Sequence, residues 1–234
     1  LPVKLFAIDE AHCISQWGPA FRPEYEELCR LTTLFPNTPI AALTATADEA
    51  TREDIVDRLF GKKANVYVTG FNRPNIKLSV TGKHDWRKQM LSFVDKNKGN
   101  SGIIYCLSRK KTDETTDLLV KNGHNAYPYH AGMNKSVREK NQDSFMTQDG
   151  VIMVATIAFG MGIDKPDVRF IIHYDVPKSL EGYYQETGRA GRDGLDGDCI
   201  LFFNPKDTEK LEKFLKDKPV AEREIGTQLI SEMA

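Results

Sequence analysis

Several features that would point to a function are missing from this sequence of 234 residues. Its longest apolar runs are about eight residues, whereas a helix needs about 20 to span a bilayer, so we expect no membrane partner. The four cysteines are widely separated and form no C-x-x-C pair. The sequence therefore predicts no zinc site within the chain and no disulfide framework. No signal-peptide pattern is present, and because the chain opens on Leu1 inside a strand pattern, we expect it to be a segment of a longer protein.

A strong net charge is also missing, since the total is −1. The charge is nevertheless uneven: residues 1–70 hold 7 basic and 10 acidic side chains, residues 71–140 hold 14 and 6, and residues 141–234 hold 11 and 17. A basic stretch of this kind is often only a solvated surface. It is also a candidate track for a polyanion.

Short apolar runs alternate with helix-like patterns along the chain. Runs without internal alternation are typical of strands buried on both faces of a parallel sheet. The predicted strands are Val3–Ile8, Ile40–Leu43, Gly102–Leu107, Val151–Ala155, Val168–His173 and Cys199–Phe203. The predicted helices are Pro23–Phe35, Glu49–Leu59, Trp86–Asn97, Thr112–Asn122, Ser136–Gln148 and Leu180–Gly188. The fold class is therefore α/β, and turn residues between positions 70 and 82, including Thr81-Gly82, predict a domain boundary.

Two acidic residues, Asp9 and Glu10, follow the first apolar run within the sequence D-E-A-H. Ligands of open parallel sheets bind beyond the carboxyl ends of the strands, and Mg²⁺ prefers carboxylate and water ligands. Asp9 is thus a candidate for holding a Mg²⁺-nucleotide, and Glu10 for polarising an attacking water. The alternative is an acid that caps the next helix.

The sequence A-L-T-A-T-A ends the second apolar run and places two hydroxyls, Thr44 and Thr46, one residue apart. They can reach groups on the same side of the chain. A helix start capped by Thr46 or Asp48 is the other interpretation, and both can hold together.

Two arginines, Arg189 and Arg192, lie in the sequence Q-E-T-G-R-A-G-R, where helical spacing predicts that they share a face. Guanidinium groups suit phosphate because they donate in a fixed fork and remain charged. A surface helix with salt bridges is the alternative. Upstream, Val154–Asp164 places glycines after a strand, where backbone N–H groups can approach phosphate, although Gly-x-Gly alone also occurs in ordinary loops.

Together these motifs resemble the RecQ family of superfamily 2 DNA helicases, from Leu1 to about Pro205. The most specific part is the aromatic-rich loop that begins A-H-C-I-S-Q-W-G and continues F-R-P-E-Y. The other matching segments are Leu43–Ala47, Gly102–Arg109, Tyr129–Met133, Val154–Asp164 and Gln185–Arg192. The residues of the last two segments resemble those of bacterial members of the family.

The resemblance implies RecA-like parallel sheets flanked by helices, with ATP and Mg²⁺ bound in the cleft between two domains. Residues 1–74 would be the C-terminal part of domain 1, residues 75–205 the complete domain 2, and residues 206–234 the start of a helical, zinc-binding region without its ligands. Asp9 would hold Mg²⁺ through water, Glu10 would activate the hydrolytic water, and Arg192, with Arg189, would be the arginine finger. The implied nucleotide-binding residues are Asp9, Glu10, His12, Gly162, Asp164, Gln185, Arg189 and Arg192.

The implied DNA-binding residues are Gln16, Trp17, Phe21, Arg22, Arg109, His130 and Thr156. Base stacking on aromatic rings tolerates any sequence, which suits an enzyme that steps along DNA. Core aromatics are the alternative for Trp17 and Phe21. The alternative for Arg109 is a solvent-exposed side chain without a function. The alternative for His130 is a structural histidine whose ring nitrogens are hydrogen-bonded within the protein.

The resemblance therefore implies an ATP-dependent 3′–5′ DNA helicase of repair and recombination, acting on single-stranded DNA and duplex junctions. It would be cytoplasmic, associated with the nucleoid if bacterial, and we expect a monomer. The phosphate-binding loop G-x-x-x-x-G-K-[ST] does not occur in these residues, so we expect the chain alone to be inactive. The alternatives are a nucleic-acid-binding module without ATPase activity and an RNA helicase, which the C-I-S-Q-W-G loop disfavours.

Overall fold

The computed structural model describes residues 2–15, 22–45, 47–70, 72–160 and 163–207. The chain divides into two compact units, Leu1–Gly70 and Phe71–Ala234. No helix in the described ranges has the length and apolar character needed to cross a membrane. The assignment of residues 1–74, 75–205 and 206–234 to functional domains stays a prediction.

The first unit is a two-stranded parallel sheet packed against short helices. Strand β1 is Phe6–Ile8 and pairs with β2, Ile40–Ala42. Between and after them lie the helices α1 (Pro23–Glu26), α2 (Leu31–Leu34) and α3 (Glu49–Phe60), with 3₁₀ turns at Ala11–Ile14 and Glu27–Arg30. Asp48 caps α3 by accepting the Thr51 N–H at 2.8 Å, and hydrogen bonds from Thr51 lower the pKa of Asp48.

The second unit is a six-stranded, all-parallel sheet of order β3-β8-β7-β4-β6-β5. Its strands are β3 (Ile76–Gly82), β4 (Ser101–Tyr105), β5 (Ala126–Tyr129), β6 (Ile152–Ala155), β7 (Val168–His173) and β8 (Gly197–Phe203). Its helices are α4 (Trp86–Lys96), α5 (Arg109–Lys121), α6 (Lys135–Thr147) and α7 (Leu180–Thr187).

Successive residues of the central strands enter opposite halves of the core. Ile104, Val154 and Ile172 belong to one buried cluster, while their neighbours Ile103 and Met153 belong to another. Side chains alternate between the two faces of a strand, so a continuous apolar sequence is buried on both. The α/β class and the doubly buried strands of this unit are confirmed.

The first unit departs from that pattern. Val3 and Leu5 are 46% and 54% exposed, and the strand begins only at Phe6, so the prediction of a doubly buried strand over Val3–Ile8 is wrong. Both residues lie before β1 and outside its pairing with β2. The predicted helix Pro23–Phe35 is also interrupted, because the 3₁₀ turn Glu27–Arg30 separates α1 from α2.

Two local predictions in the second unit are also wrong. Thr81 and Gly82, interpreted as turn residues, are the last residues of β3. Helix α5 begins at Arg109 rather than Thr112, because the Ser108 hydroxyl accepts the Lys111 N–H at 3.2 Å and caps the helix one turn earlier.

Candidate functional site

The acidic turn after β1 has an unusual backbone. Glu10 adopts a left-handed conformation, with φ 51° and ψ 40°, and its N–H donates to Asp9 Oδ1 at 2.8 Å. Glu10 stands at the start of the 3₁₀ turn without capping it through its side chain, which leaves the alternative of a capping acid unsupported for Glu10. Strained non-glycine conformations cost about 1–3 kcal/mol and concentrate at functional sites.

His12 joins this turn to the segment after β2. Its Nδ1 lies 2.8 Å from the Thr44 hydroxyl and 3.3 Å from Glu10 Oε2. The backbone makes the same connection, since Ala11 donates to the Leu43 carbonyl at 3.0 Å and Leu43 to Ile8 at 2.8 Å. The two predicted motifs of the first unit are therefore joined by hydrogen bonds through Thr44. Asp48 caps α3, so the interpretation of this segment as a helix start is confirmed, whereas the common reach of Thr44 and Thr46 stays a prediction, because Thr46 lies outside the described residues.

Exposed carboxylates at Asp9 and Glu10 match the ligands that Mg²⁺ accepts. Within the described residues, no group of three or more His, Cys, Asp or Glu side chains is arranged to hold a metal ion. Mg²⁺ bound with a nucleotide needs no such cage, because one or two carboxylates, waters and phosphate oxygens complete its shell. The acidic turn is thus compatible with a Mg²⁺-nucleotide.

The aromatic-rich loop is described only at its borders. The predicted DNA contacts Gln16, Trp17 and Phe21 lie outside the described residues, as does Thr46 of the second motif. Arg22 is exposed, its N–H donates to the Cys13 carbonyl at 3.0 Å, and its guanidinium lies 6.0 Å from the centre of the Tyr25 ring.

The two motif arginines do not share a helix face, so that prediction is wrong. Helix α7 ends at Thr187, and Gly191 has a left-handed φ of 55°, which turns the chain between the arginines. A side chain at Gly191 would collide with the Leu195 carbonyl, because an added Cβ would lie 2.3 Å from that oxygen. Glycine is therefore required at this turn by both its φ and its packing.

Arg192 pairs with another predicted nucleotide residue. Its Nη1 lies 2.7 Å from Asp164 Oδ1 and donates to the Ile163 carbonyl at 3.0 Å. Asp164 is 84% exposed, so this ion pair is open to solvent and to a competing phosphate. Gly162, predicted beside them, lies outside the described residues.

Arg189 is held inside the second unit. Its guanidinium packs so close to Gly160 that a Cβ there would lie 3.1 Å from one terminal nitrogen. Its Nε is buried, with no hydrogen-bond partner among the described residues. Burial raises the pKa of Tyr105, so the phenol stays protonated and donates to the Phe159 carbonyl at 3.3 Å.

The last turn of α7 contributes an acid that sequence reasoning passed over. Gln185 is exposed, whereas Glu186 Oε2 lies 2.8 Å from Nε2 of the buried His173, whose ring stacks against Tyr105 at 5.4 Å. No local pattern marks this pair, because His173 ends β7 and Glu186 lies 13 residues later.

Two residues far away in the sequence hydrogen-bond the turn that carries Arg189 and Arg192. Arg73 donates to the Gly191 carbonyl at 2.9 Å, and Asn75 donates to Gly191 and Leu195 at 2.9 and 2.8 Å. Both lie in the segment between positions 70 and 82, where turn residues predict a domain boundary. Their function in the turn depends on a contact across more than 110 residues, which no local motif reveals.

Three predicted DNA-binding residues follow three neighbouring strands. Arg109 follows β4, His130 follows β5 and Thr156 follows β6, so all three lie at the carboxyl edge of the sheet. The Thr156 N–H donates to Tyr129, the residue before His130, at 3.1 Å. The structure therefore brings these three residues to one edge, as ligand sites of parallel sheets require.

In the described ranges, only one of the two ring nitrogens of His130 has a hydrogen-bond partner, so the alternative of a structural histidine holds only in part. Its Nε2 lies 3.0 Å from Asp113 Oδ1, but its Nδ1 is buried without a hydrogen-bond partner in the described part of the chain. Arg109 is exposed.

Comparison with known proteins gives a consistent set of relatives. Residues 82–194 match the model of the helicase conserved C-terminal domain. The chain is 51% identical over 217 residues to ATP-dependent DNA helicase RecQ of Pasteurella multocida, covering 93% of the chain and 34% of that protein. It is 44% identical to the Bacillus subtilis protein of the same name, covering 88% of the chain and 35% of that protein. It is 46% identical to RecQ-like DNA helicase BLM of Xenopus laevis, covering 90% of the chain and 16% of that protein. The chain thus spans about a third of the length of these bacterial relatives.

Solved structures share the fold at low sequence identity. S. cerevisiae Dbp5 bound to RNA and ADP BeF3 matches with a TM-score of 0.67 and 21% identity, covering 97% of this chain and 63% of that one. Mycobacterium smegmatis Lhr bound to ssDNA and AMP-PNP matches with a TM-score of 0.67 and 20% identity, covering 96% and 31%. At such identities the likeness establishes the α/β architecture alone.

Proposed function

Because the chain belongs to the RecQ family of superfamily 2 helicases, we propose that the complete protein is an ATP-dependent 3′–5′ DNA helicase. The observation that carries this proposal is the 51% identity over 217 residues to a protein named ATP-dependent DNA helicase RecQ. The hydrogen-bonded cluster of Glu10, His12 and Thr44 supports it, because it ties the proposed hydrolytic acid to a second motif.

In the first unit, Asp9 is proposed to hold Mg²⁺ through water and Glu10 to orient the attacking water. Mg²⁺, when bound, neutralises charge on the phosphates. Glu10 is suited to its role because the left-handed turn fixes its backbone and His12 lies 3.3 Å from its carboxylate. His12 would couple the nucleotide site to the aromatic-rich loop that follows it in the sequence.

In the second unit, Arg192 is proposed to stabilise the charge of the transferring phosphoryl group. It is the exposed arginine of the pair, and a phosphate can replace Asp164 as its partner without any burial of charge. Arg189 is proposed to bind phosphate from a fixed position, supported by its close packing against Gly160. Gly162, Asp164 and Gln185 complete the proposed nucleotide set.

Single-stranded DNA is proposed to follow the carboxyl edge of the second sheet, where Arg109 and Thr156 lie, and the aromatic-rich loop of Gln16, Trp17, Phe21 and Arg22. The excess of basic residues over positions 71–140 supports a polyanion there. A DNA substrate would place the protein in the cytoplasm, on the nucleoid if bacterial, and we propose that it acts as a monomer.

The complete protein provides the test. We expect ATP hydrolysis to be stimulated by single-stranded DNA more than by RNA, and duplexes with a 3′ tail to be unwound in preference to those with a 5′ tail. Glu10→Gln should lower the hydrolysis rate by about 10²–10⁴-fold and leave DNA binding unchanged. Stimulation by RNA alone would instead support an RNA helicase, and unwinding from 5′ tails would contradict the polarity.

The isolated chain should not hydrolyse ATP appreciably, because positioning of the phosphates supplies most of the catalysis and these residues contain no phosphate-binding loop. Phosphate release with and without single-stranded DNA measures this. Robust DNA-stimulated turnover by the pure chain would contradict the prediction.

The alternative of a binding module without ATPase activity has its own discriminating measurement. Titration of labelled single-stranded DNA at two salt concentrations should show steeply salt-dependent binding if phosphate contacts dominate. DNA binding by a complete protein that never hydrolyses ATP would favour the module over the helicase.

A further inference from the structure

Gly132 makes room for the side chain of Arg109. A Cβ added at Gly132 would lie 3.0 Å from both Cδ and Nη1 of Arg109 and 3.3 Å from His130 Nδ1. Gly132 is not among the described glycines that have a positive φ, so its backbone does not require glycine. A methyl group at this position would instead push the Arg109 side chain aside by a few tenths of an ångström.

His130 pairs with an acid on the same helix as Arg109. Asp113 lies four residues after Arg109 on α5, a spacing at which acidic and basic side chains form ion pairs. Its carboxylate is instead 3.0 Å from His130 Nε2. Within the described ranges, no carboxylate lies at ion-pair distance from Arg109, so the guanidinium keeps its charge available.

We propose that Gly132 and His130 are positioning residues for Arg109, which together keep its guanidinium directed at a phosphate of single-stranded DNA. The inference rests on the proposed function. Gly132 supplies the space in which Arg109 lies, and His130 holds Asp113 away from it. His130 then acts through Asp113, since its own Nδ1 is buried against the glycine and faces no solvent.

A double-mutant cycle tests the role of Gly132. Binding of the 234-residue chain to labelled oligo-dT is measured by fluorescence anisotropy across a salt series for Gly132→Ala, Arg109→Ala and the double variant. Each lost contact with a single-stranded phosphate should lower the salt slope by about 0.7. We expect both single variants to weaken binding several-fold and reduce the slope, and Gly132→Ala to add nothing in the Arg109→Ala background, because it acts through that arginine.

Gly82→Ala is the matched control. Its Cβ would meet the His84 ring at 3.0 Å, so the crowding against a side chain is equal but lies at the end of β3. DNA affinity should not change there. Additive losses from Gly132→Ala and Arg109→Ala would overturn the inference, as would a Gly132→Ala chain that binds normally.

A second pair of variants does not depend on the added methyl group. His130→Gln should release Asp113 to pair with Arg109 and so weaken binding, and Asp113→Asn in the same chain should restore it. A double variant as weak as His130→Gln would mean that His130 does not act through Asp113, and would overturn that part.

Different binding results would contradict the positioning role of Gly132 and His130 and the proposed function. An unsubstituted chain that shows no binding at low salt would remove the proposed DNA contact itself. Binding that ignores Gly132 and His130 would remove only the positioning role.

Discussion

A single missing side chain decides how β4 and β7 pack. A Cβ at Gly102 would lie 2.2 Å from the ring of Phe170, which belongs to the buried core and is held against Phe93. We expect Gly102→Ala to lower the free energy of unfolding by roughly 1–3 kcal/mol, because overpacking forces the ring or the strand to move. The midpoint of urea denaturation measures the effect.

Gly182→Ala is the control for that change. Gly182 lies inside α7, where the nearest atom to an added Cβ is the Ser179 hydroxyl at 3.3 Å. Alanine is favoured over glycine in a helix by about 1 kcal/mol, so this variant should be neutral or more stable. A destabilisation equal to that of Gly102→Ala would contradict the packing argument.

The cysteines should differ in their reactivity. Cys106 and Cys199 are 3% and 1% exposed, and burial raises the pKa of each thiol to about 12, so neither forms the reactive thiolate near neutral pH. Cys29 is only half-buried. Iodoacetamide at pH 8 should label Cys29 first, and Cys106 and Cys199 only after denaturation, as mass spectrometry would show. Fast labelling of Cys106 in the folded chain would contradict this.

Single residues were predictable where a motif is contiguous. Asp9, Glu10 and His12 lie within four residues of each other, and the structure links Glu10 to both of the others. Arg73, Asn75 and Glu186 were missed because their partners are distant in sequence, and their chemistry arises only when the chain folds.

At the scale of elements, the missed strands are those at the borders of the sheet. β5 contains Pro128, which has no N–H and is tolerated because β5 is an edge strand. β3 alternates apolar and polar residues, and most of them are exposed. Buried strands such as β6 have continuous apolar sequences, so sequence reasoning found them and overlooked the two edges.

The end of α7 shows why helical spacing failed for the arginines. Spacing predicts a shared face only while the helix continues, and here it stops at Thr187. The glycines on either side of Arg189, Gly188 and Gly191, are the local signal of that stop.

The link between the 3₁₀ turn Ala11–Ile14 and the end of β2 can be measured directly. His12 and Thr44 are joined at 2.8 Å, and His12 is largely buried. In a double-mutant cycle of His12→Ala and Thr44→Val, we expect an interaction energy of about 0.5–1.5 kcal/mol in the free energy of unfolding. Strictly additive effects would indicate that the hydrogen bond contributes nothing.

At the scale of the molecule, the two units differ in the size of their cores. Among the described residues, the buried cluster of the first unit has five members, Ile8, Ala11, Ile14, Ile55 and Leu59, whereas buried clusters cover both faces of the six-stranded sheet in the second unit. Amide exchange should therefore be slower in β6 and β7 than in β1 and β2, because opening the larger core exposes more apolar surface. Equal protection in both units, measured by hydrogen–deuterium exchange, would contradict the prediction.

The pairing of β3 with β8 has a consequence for synthesis of the chain. Ser79 donates its hydroxyl to the Cys199 carbonyl across 120 residues. Among the described strands, β3, the first of the second unit, pairs only with β8, the last. During synthesis, β3 leaves the ribosome long before β8, and it cannot form this pairing until residues 197–203 have left the exit tunnel. Strands with distant partners fold late and stay open to wrong pairing. A chain stopped before Gly197 would therefore keep β3 as a free strand for chaperones, or for other nascent chains, to capture.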